Sequence, residues 1–355
     1  MGDLLMSAPA ITAIKETFGC RITVLTSSLA KGITAYLPAV DEVVVWDVPW
    51  VKGTGSVSAD ALLDIVGILE QHRFDGAVNF TVFSQSSMPT ALLATLAGIP
   101  NRLAYCRENP YQLLSHWVPE QEPYTIMRHQ VQRDLDLVAS IGPRPVEQRI
   151  VLRPPANVEQ AVRKKLSEAG VDLLKPWLIL HPGASEVKRE YPIESWIDAG
   201  IKIAVELEYQ LIITGVEKEK ALVESIRDGI GSSAFSLAGQ LSLEEHITLI
   251  RFAPLLISVN TGTIHIAAAL QTKVIVLYAL TNPQHAPWKS IGKILPFSVP
   301  RGLQSRNEVL RFVHDKYFSE RQLSINPDNI LAAARELLVE KNEPLIPELV
   351  LPFDT

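Results

Sequence analysis

Apolar residues in this chain fall into short β-branched runs separated by longer stretches with helical spacing. The first stretch predicts a helix: Ser7 can cap it, Pro9 is tolerated in a first turn, and the pattern runs through Ile11, Ile14 and Lys15 to Gly19, a natural stop. Arg21 to Thr26 then predicts a strand, Val43 to Val45 a second and Ala77 to Phe80 a third, with helical periodicity from Asp60 to Gln71. Met127 to Ile141 reads as a helix with Val131, Leu135 and Val138 along one side.

A proline-rich stretch follows, Pro143, Pro145, Pro154 and Pro155, which suits an inter-domain linker. Beyond it the pattern restarts. A helix from Val158 to Ala169 precedes strands at Trp177–Leu180, Gln210–Thr214, Leu255–Val259 and Val274–Tyr278, with helices such as Leu243–Phe252 and Thr263–Leu270 between them. A last amphipathic helix spans Asn329–Glu340. Strands alternating with helices predict parallel sheets covered on both faces. The expected organisation is two α/β doubly wound domains, 1–152 and 153–342, with an extended tail at 343–355. Ligands of such sheets bind beyond the carboxyl ends of the strands, here in a cleft expected between the domains.

Composition narrows the function. The 355 residues carry 39 acids against 33 bases, a net charge of −6, and no dense basic cluster, so a nucleic-acid partner is excluded. Cys20 and Cys106 have no ligand-like or disulfide spacing, which predicts reduced thiols in the cytoplasm. No apolar run approaches the roughly 20 residues of a membrane span, and the amino terminus lacks the layout of a signal peptide.

Four strand-end loops carry the candidate chemistry. After WLIL comes HPGASEVKREYP. Pro182-Gly183 allows a sharp turn, and Ser185, Lys188 and Arg189 suit a pyrophosphate; the same residues also suit a solvated turn with a charge pair to Glu186 or Glu190. After QLIIT comes GVEKEK, where an acid can accept from both ribose hydroxyls or simply complement a helix dipole. After LLISV comes NTGTIHIAAAL, in which a strand runs directly into small polar residues and a small-residue helix. The backbone N–H groups of Thr261 to Thr263 would lie at a helix amino terminus, a natural phosphate site, and His265 faces either the phosphate or the core. After VIVLY, the loop ALTNPQHAPW should line the same cleft or serve as a plain connection. At the start of the chain, Asp3 is either a helix cap or a general base.

Taken in order, these segments resemble glycosyltransferase family 9, the bacterial heptosyltransferases. The resemblance is carried by GDLLMSAPAITAIKETFG, HPGASEVKREYP, ITGVEKE, the LAGQLSL segment, NTGTIHIAAAL and TNPQHAPW, and it covers most of the chain. It implies a GT-B fold of two Rossmann-like domains facing a central cleft. It also implies a nucleotide-diphosphate sugar donor such as ADP-heptose, a lipopolysaccharide-core or other glycan acceptor, and inverting transfer with no metal and no cofactor. Under this resemblance Asp3 is the base. Ser185 and Arg189 hold donor phosphates; Lys188 is the neighbouring alternative, and spacing to Tyr191-Pro192 favours Arg189. Glu219 meets the ribose and Leu241 the adenine. Thr261, Gly262 and His265 surround the pyrophosphate and sugar, and Asn260 and Thr281 are further donor-binding residues. A lipid-borne acceptor implies peripheral contact with the inner membrane.

The sequence departs from the family at two points. Asn260 stands where heptosyltransferases often have Asp. Members also carry a full strand before the Gly-Asp pair, whereas here Gly2-Asp3 follow Met1, so either a misplaced start codon or a damaged first domain is expected. Three other readings are a GT-B epimerase, a degenerate nucleotide-sugar binder, and a dinucleotide oxidoreductase. The last is disfavoured because no GxGxxG follows any strand.

Overall fold

The computed structural model describes residues 1–50, 58–318 and 322–350. By their contacts they form two units. One is Met1 with Met6–Gln148; the other is Gly2–Leu5 with Arg149–Thr355. Residues 351–355 of the expected tail lie outside the described residues.

The chain opens with α1 (Gly2–Phe18), whose first turn, Gly2–Leu5, belongs to the second unit and whose remainder belongs to the first; it is stopped by Gly19 in the left-handed conformation at φ 59°. The helix therefore starts five residues earlier than Ser7. Leu5 and Met6 are fully buried, and that burial decides the start over the local capping signal. Ser7 lies inside the helix, where its hydroxyl donates to Asp134 at 2.7 Å. There follow β1 (Thr23–Thr26), α2 (Ser28–Thr34), β2 (Glu42–Val45), α3 (Ala59–His72), β3 (Gly76–Asn79), α4 (Met88–Leu96), β4 (Asn101–Cys106), β5 (His116–Pro119) and α5 (Gln130–Ala139). The strands make two separate parallel sheets, β1-β2 and β3-β4-β5. Leu25, Val44 and Ala77, one from each of three strands, pack on the same cluster of α3 and α4 side chains around Ile65, Leu69 and Leu93.

Charge is buried in this unit. Arg133 on α5 is fully buried; it bonds Glu120 and meets Glu122 at 2.6 Å, and its guanidinium lies 4.3 Å from the centre of the Tyr105 ring. Val131, Leu135 and Val138, the side predicted to be apolar, are buried. The helix begins at Gln130 because the His129 side chain caps it, accepting from Val131 N–H at 3.0 Å.

The second unit contains α6 (Glu159–Glu168), β6 (Trp177–His181), α7 (Ile193–Glu206), β7 (Gln210–Ile213), α8 (Lys220–Ile230), β8 (Ala234–Ser236), α9 (Leu243–Phe252), β9 (Leu256–Val259), α10 (Gly262–Leu270), β10 (Val274–Ala279), β11 (Gly292–Phe297), α11 (Glu308–Tyr317) and α12 (Pro327–Leu338). Its six strands form one parallel sheet in the order β11-β10-β9-β6-β7-β8. The central strands are apolar on both faces: Leu178 to Leu180, Leu211 to Ile213, Leu256, Ile257 and Val259, and Val274 to Ala279 are all buried. Helix α9 starts in a capping box, Ser242 Oγ accepting from Glu245 N–H at 3.2 Å and Glu245 accepting from Ser242 N–H at 2.8 Å. The tail runs antiparallel to the start of β11, with Leu345 bridged to Ile291, and it buries Ile346 and Val350. No described helix is long and apolar enough to cross a membrane.

Removing Arg133 would leave Glu120 and Glu122 short of the partner that justifies their burial. Arg133→Ala should cost about 3–5 kcal/mol in urea unfolding, the size typical of breaking a buried ion pair on one side. A loss under about 1 kcal/mol would show that the two carboxylates are satisfied without it.

Candidate functional site

Strand order locates the site. From β6 the chain winds outward through β7 to β8, then returns to the other side of β6 with β9 and winds outward again through β10 and β11. The switch falls between β6 and β9, which pair through Leu180–Ile257 and His181–Ser258. At such a point the two following loops diverge to opposite faces of the sheet and leave a crevice. The two loops here are HPGAS and NTGT.

The β9 loop leads directly into α10. Thr261 is its N-cap, in an extended conformation, and makes no side-chain capping bond. The Thr261 hydroxyl is buried with no hydrogen-bond partner among the described residues. Gly262 opens the helix, and His265, one turn in, is 4% exposed. Its ring lies against the start of α1: a Cβ placed on Gly2 would meet the His265 ring at 3.1 Å and the Gly262 Cα at 3.5 Å. The amino ends of α1 and α10 therefore meet, and each brings the positive end of its helix dipole.

Asp3 follows Gly2 in the first turn of α1 and is exposed. Its charge acts on His285, a half-buried ring in the loop after β10. Burial lowers the His285 pKa; the Asp3 carboxylate pulls it up and Arg189 pushes it further down. The Asn282 amide is oriented by its own bonds. Its Oδ1 accepts from Gln284 N–H at 2.9 Å, so Nδ2 faces His285 Nε2 at 3.2 Å, and the proton of the neutral ring sits on Nδ1. Thr281 is half-buried in the same loop, its N–H donating to Ala279 at 2.7 Å.

The β6 loop supplies the basic groups. Lys188 pairs with Glu186 at 2.6 Å, one of the two charge pairs considered from sequence. Arg189 reaches across: its Nη1 donates to the Asn260 carbonyl at 3.3 Å, and its Nε is buried without a hydrogen-bond partner among the described residues. Of the two cations, Arg189 is the one tied to the turn before α10. Ser185 is exposed at the loop tip.

Glu219 comes from the loop after β7. Its Oε2 accepts from Val216 N–H at 2.9 Å, so it does cap its own turn. Its carboxylate also lies against Gly183, where any Cβ would overlap it. Close approach of the two loops thus requires glycine at 183. The LAG turn joins them through Gly239 N–H to the Gly215 carbonyl at 2.9 Å, with Gly239 at φ +69°, and Leu241 follows half-buried.

Asn260 is placed differently from its sequence reading. The side chain is buried, and both its polar atoms engage the end of β10: Oδ1 accepts from Ala279 N–H at 3.2 Å and Nδ2 donates to the Ala279 carbonyl at 3.3 Å. It fastens β9 to β10 rather than offering a free polar group.

Sequence reasoning missed three histidines. His181 ends β6, His246 lies 5.5 Å from it ring to ring, and His285 faces the Asp3 charge. His181 was visible as a polar residue closing an apolar run; the other two had no local signal. Burial pushes His181 down to about 3 and His246 down to about 4, so both rings are neutral at physiological pH. A separate hollow of about 570 Å³, lined by residues such as Arg227, Phe235 and Gln240, opens beside edge strand β8 and contains none of these groups. Among the described residues, no group of three or more His, Cys, Asp or Glu side chains is arranged to hold a metal ion.

A family model described as glycosyltransferase family 9 (heptosyltransferase) matches residues 68–299. Lipooligosaccharide heptosyltransferase 2 of Haemophilus influenzae is 23% identical over 299 residues, spanning 81% of this chain and 83% of that protein. The crystal structure of the glycosyl transferase family 9 protein from Veillonella parvula superposes with a TM-score of 0.73 at 14% identity, covering 96% of this chain and 94% of that one. The structure of E. coli heptosyltransferase WaaC with ADP-2-deoxy-2-fluoro heptose superposes at 0.61 and 18% identity, covering 89% and 96%. The two α/β units are those of the GT-B fold that the motifs implied.

The buried neutral His181 has a pH signature. Its pKa falls from 6.5 in the unfolded chain to about 3 in the fold, so between these values the unfolded chain binds the extra proton. The stabilisation is complete above the unfolded value and is lost as pH falls, by up to about 1.4 kcal/mol per pH unit. Urea unfolding at pH 7, 6 and 5 should show a steeper decline for the wild type than for His181→Phe. Equal slopes would mean that the folded protein protonates this ring as readily as the unfolded one.

Proposed function

The chain belongs to glycosyltransferase family 9, and from that premise we propose that it moves a heptose-like sugar from a nucleotide-diphosphate donor, ADP-heptose in the first instance, to a hydroxyl of a lipopolysaccharide-core or related glycan. Transfer proceeds with inversion and without a metal. The observation that carries this reading is the pair of buried donors, Thr261 Oγ1 and Arg189 Nε, beside the amino end of α10. Buried donors without partners cost free energy, and a polyanion seated there would satisfy both.

In this mechanism the diphosphate lies against the N–H groups of Gly262 and Thr263; the Thr261 N–H expected from sequence to join them is instead donated to the Val259 carbonyl at 2.8 Å, and Thr261 contributes its hydroxyl. The α10 dipole, the α1 dipole and Arg189 stabilise the negative charge that grows on the leaving group as the bond to the anomeric carbon breaks. Glu219 accepts from the ribose hydroxyls, with Leu241 against the base. Asp3 takes the proton from the acceptor hydroxyl as it attacks the face opposite the leaving diphosphate, which is what inverts the centre. His285 holds its proton on Nδ1 near the Asp3 charge. Such a donor set supplies the positive charge that a metal supplies elsewhere. Carrying a lipid-linked acceptor, the enzyme would work at the cytoplasmic face of the inner membrane.

The test is acceptor-dependent ADP release from ADP-heptose, with and without EDTA. Wild type should release ADP only with acceptor, and equally in both conditions. Asp3→Asn should lower kcat by about 10²–10⁴, the usual range for a general base, while ADP affinity stays within about twofold of wild type. Unchanged turnover in Asp3→Asn would remove Asp3 from the mechanism. Sugar interconversion without ADP release would replace transfer with epimerisation.

A further inference from the structure

His181 joins three of the strand-end loops. It closes β6, and its ring is buried. Nδ1 lies 2.9 Å from Thr214 Oγ1, at the end of β7, and Nε2 lies 3.2 Å from Thr263 Oγ1, in the first turn of α10. Both threonines are buried.

The direction of the two bonds follows from counting protons. A hydroxyl has one proton to give, and Thr214 gives it to the Leu180 carbonyl at 3.5 Å. Thr214 therefore accepts from His181 Nδ1–H. The ring has no second proton, so Nε2 accepts from the Thr263 hydroxyl. One neutral imidazole thus reads as a donor toward β7 and an acceptor toward α10. A lysine or arginine cannot do this, and an apolar side chain can do neither.

We infer that His181 is a positioning residue for the nucleoside diphosphate: through Thr263 it holds the amino-terminal turn of α10 in register with the HPGAS and GVEKE loops, so that one ligand can be met by all three. This rests on the proposed donor site. Ser185 and Glu219 hang from β6 and β7, whereas the α10 amides hang from β9 on the far side of the switch point. Backbone pairing of β6 with β9 stops at His181–Ser258. Beyond that pair, the Thr263 bond is a side-chain tie from β6 to the helix turn. Arg189 to the Asn260 carbonyl is a second tie and enters the loop before the helix, leaving the helix turn itself to His181.

The experiment compares His181→Phe, His181→Asn, His181→Gln and Thr263→Val by ADP titration and by amide hydrogen exchange at Thr261–His265. Asn places its polar atoms near the Nδ1 position and Gln near Nε2, so Gln keeps the acceptor that faces Thr263 and Asn does not. His181→Phe, His181→Asn and Thr263→Val should each weaken ADP binding about tenfold and speed exchange at the turn. His181→Gln should stay within about threefold of wild type. The His181→Phe, Thr263→Val double variant should lose no more than either single change, because both remove one tie. A hundredfold loss in the double variant, or Gln and Asn behaving alike, would overturn the inference. If wild type fails to bind ADP, the donor site itself is wrong; exchange at the turn still decides the tie, and unchanged exchange in Thr263→Val would refute it.

Discussion

The structure of the second unit depends on one constraint: a parallel sheet that reverses its winding direction must leave a gap where the reversal occurs. Between β6 and β9 the strands are bonded, but the loops that follow them part. Backbone donors there are beyond the reach of any neighbouring strand and must find partners locally, as Thr261 N–H does at the Val259 carbonyl, 2.8 Å away. The amino end of α10 points there, and the chain has brought the first turn of α1 to the same place, Gly2 against His265. Two helix starts in one place bring two positive dipole ends together, a setting that favours negative charge. A net charge of −6 does not oppose the proposed polyanion site: the charge that matters there is within a few ångströms, and the global excess of acids is screened over about 10 Å.

The buried polar ties follow from the same gap. Loops leaving a sheet in opposite directions have no shared hydrogen-bond ladder, so side chains must set their spacing. His181 does so between β6, β7 and α10. Asn260 does so between β9 and β10, and Arg189 between the β6 loop and the β9 loop. His181 and Asn260 are buried, where a polar group is expensive unless its bonding capacity is used. Two of the three bridge elements far apart in sequence: 82 residues separate His181 from Thr263 and 71 separate Arg189 from Asn260.

That separation accounts for what could and could not be read from the sequence. The central strands were legible because burial on both faces leaves continuous apolar runs, WLIL, QLIIT, LLISV and VIVLY, within a residue or so of the observed β6, β7, β9 and β10. The edge strands β5, β8 and β11 gave no such run. His116, Trp117 and Pro119 face outward in β5, and β11 is only partly buried and carries Pro296. The start of α1 was misread because Ser7 before Pro9 imitates a cap, while the deciding fact, full burial of Leu5 and Met6, is tertiary. The loops were legible as a set because each follows a recognisable strand. The particular duty of a residue within a loop was legible only when it was local, as with the glycine that precedes α10. Partners chosen across 33 to 82 residues leave no periodicity to detect.

Asn260 shows why this matters for the chemistry. From sequence it is one polar residue in a phosphate-like turn, standing where related enzymes often carry an aspartate. In the fold, its amide must both give and receive, since it faces the N–H and the carbonyl of the same residue, Ala279. A carboxylate could accept from that N–H but would set its second oxygen against the carbonyl, in a buried position. An aspartate here would therefore have to turn away from β10, toward the start of α10 and the Arg189 guanidinium that already lies against the loop. The choice between amide and acid thus settles whether residue 260 braces the strands or adds a negative charge beside the amino end of α10. With asparagine the brace is made and no negative charge is added beside α10, so the buried groups left without a partner near its amino end are the Thr261 hydroxyl and the Arg189 Nε, the two on which the proposed donor site rests.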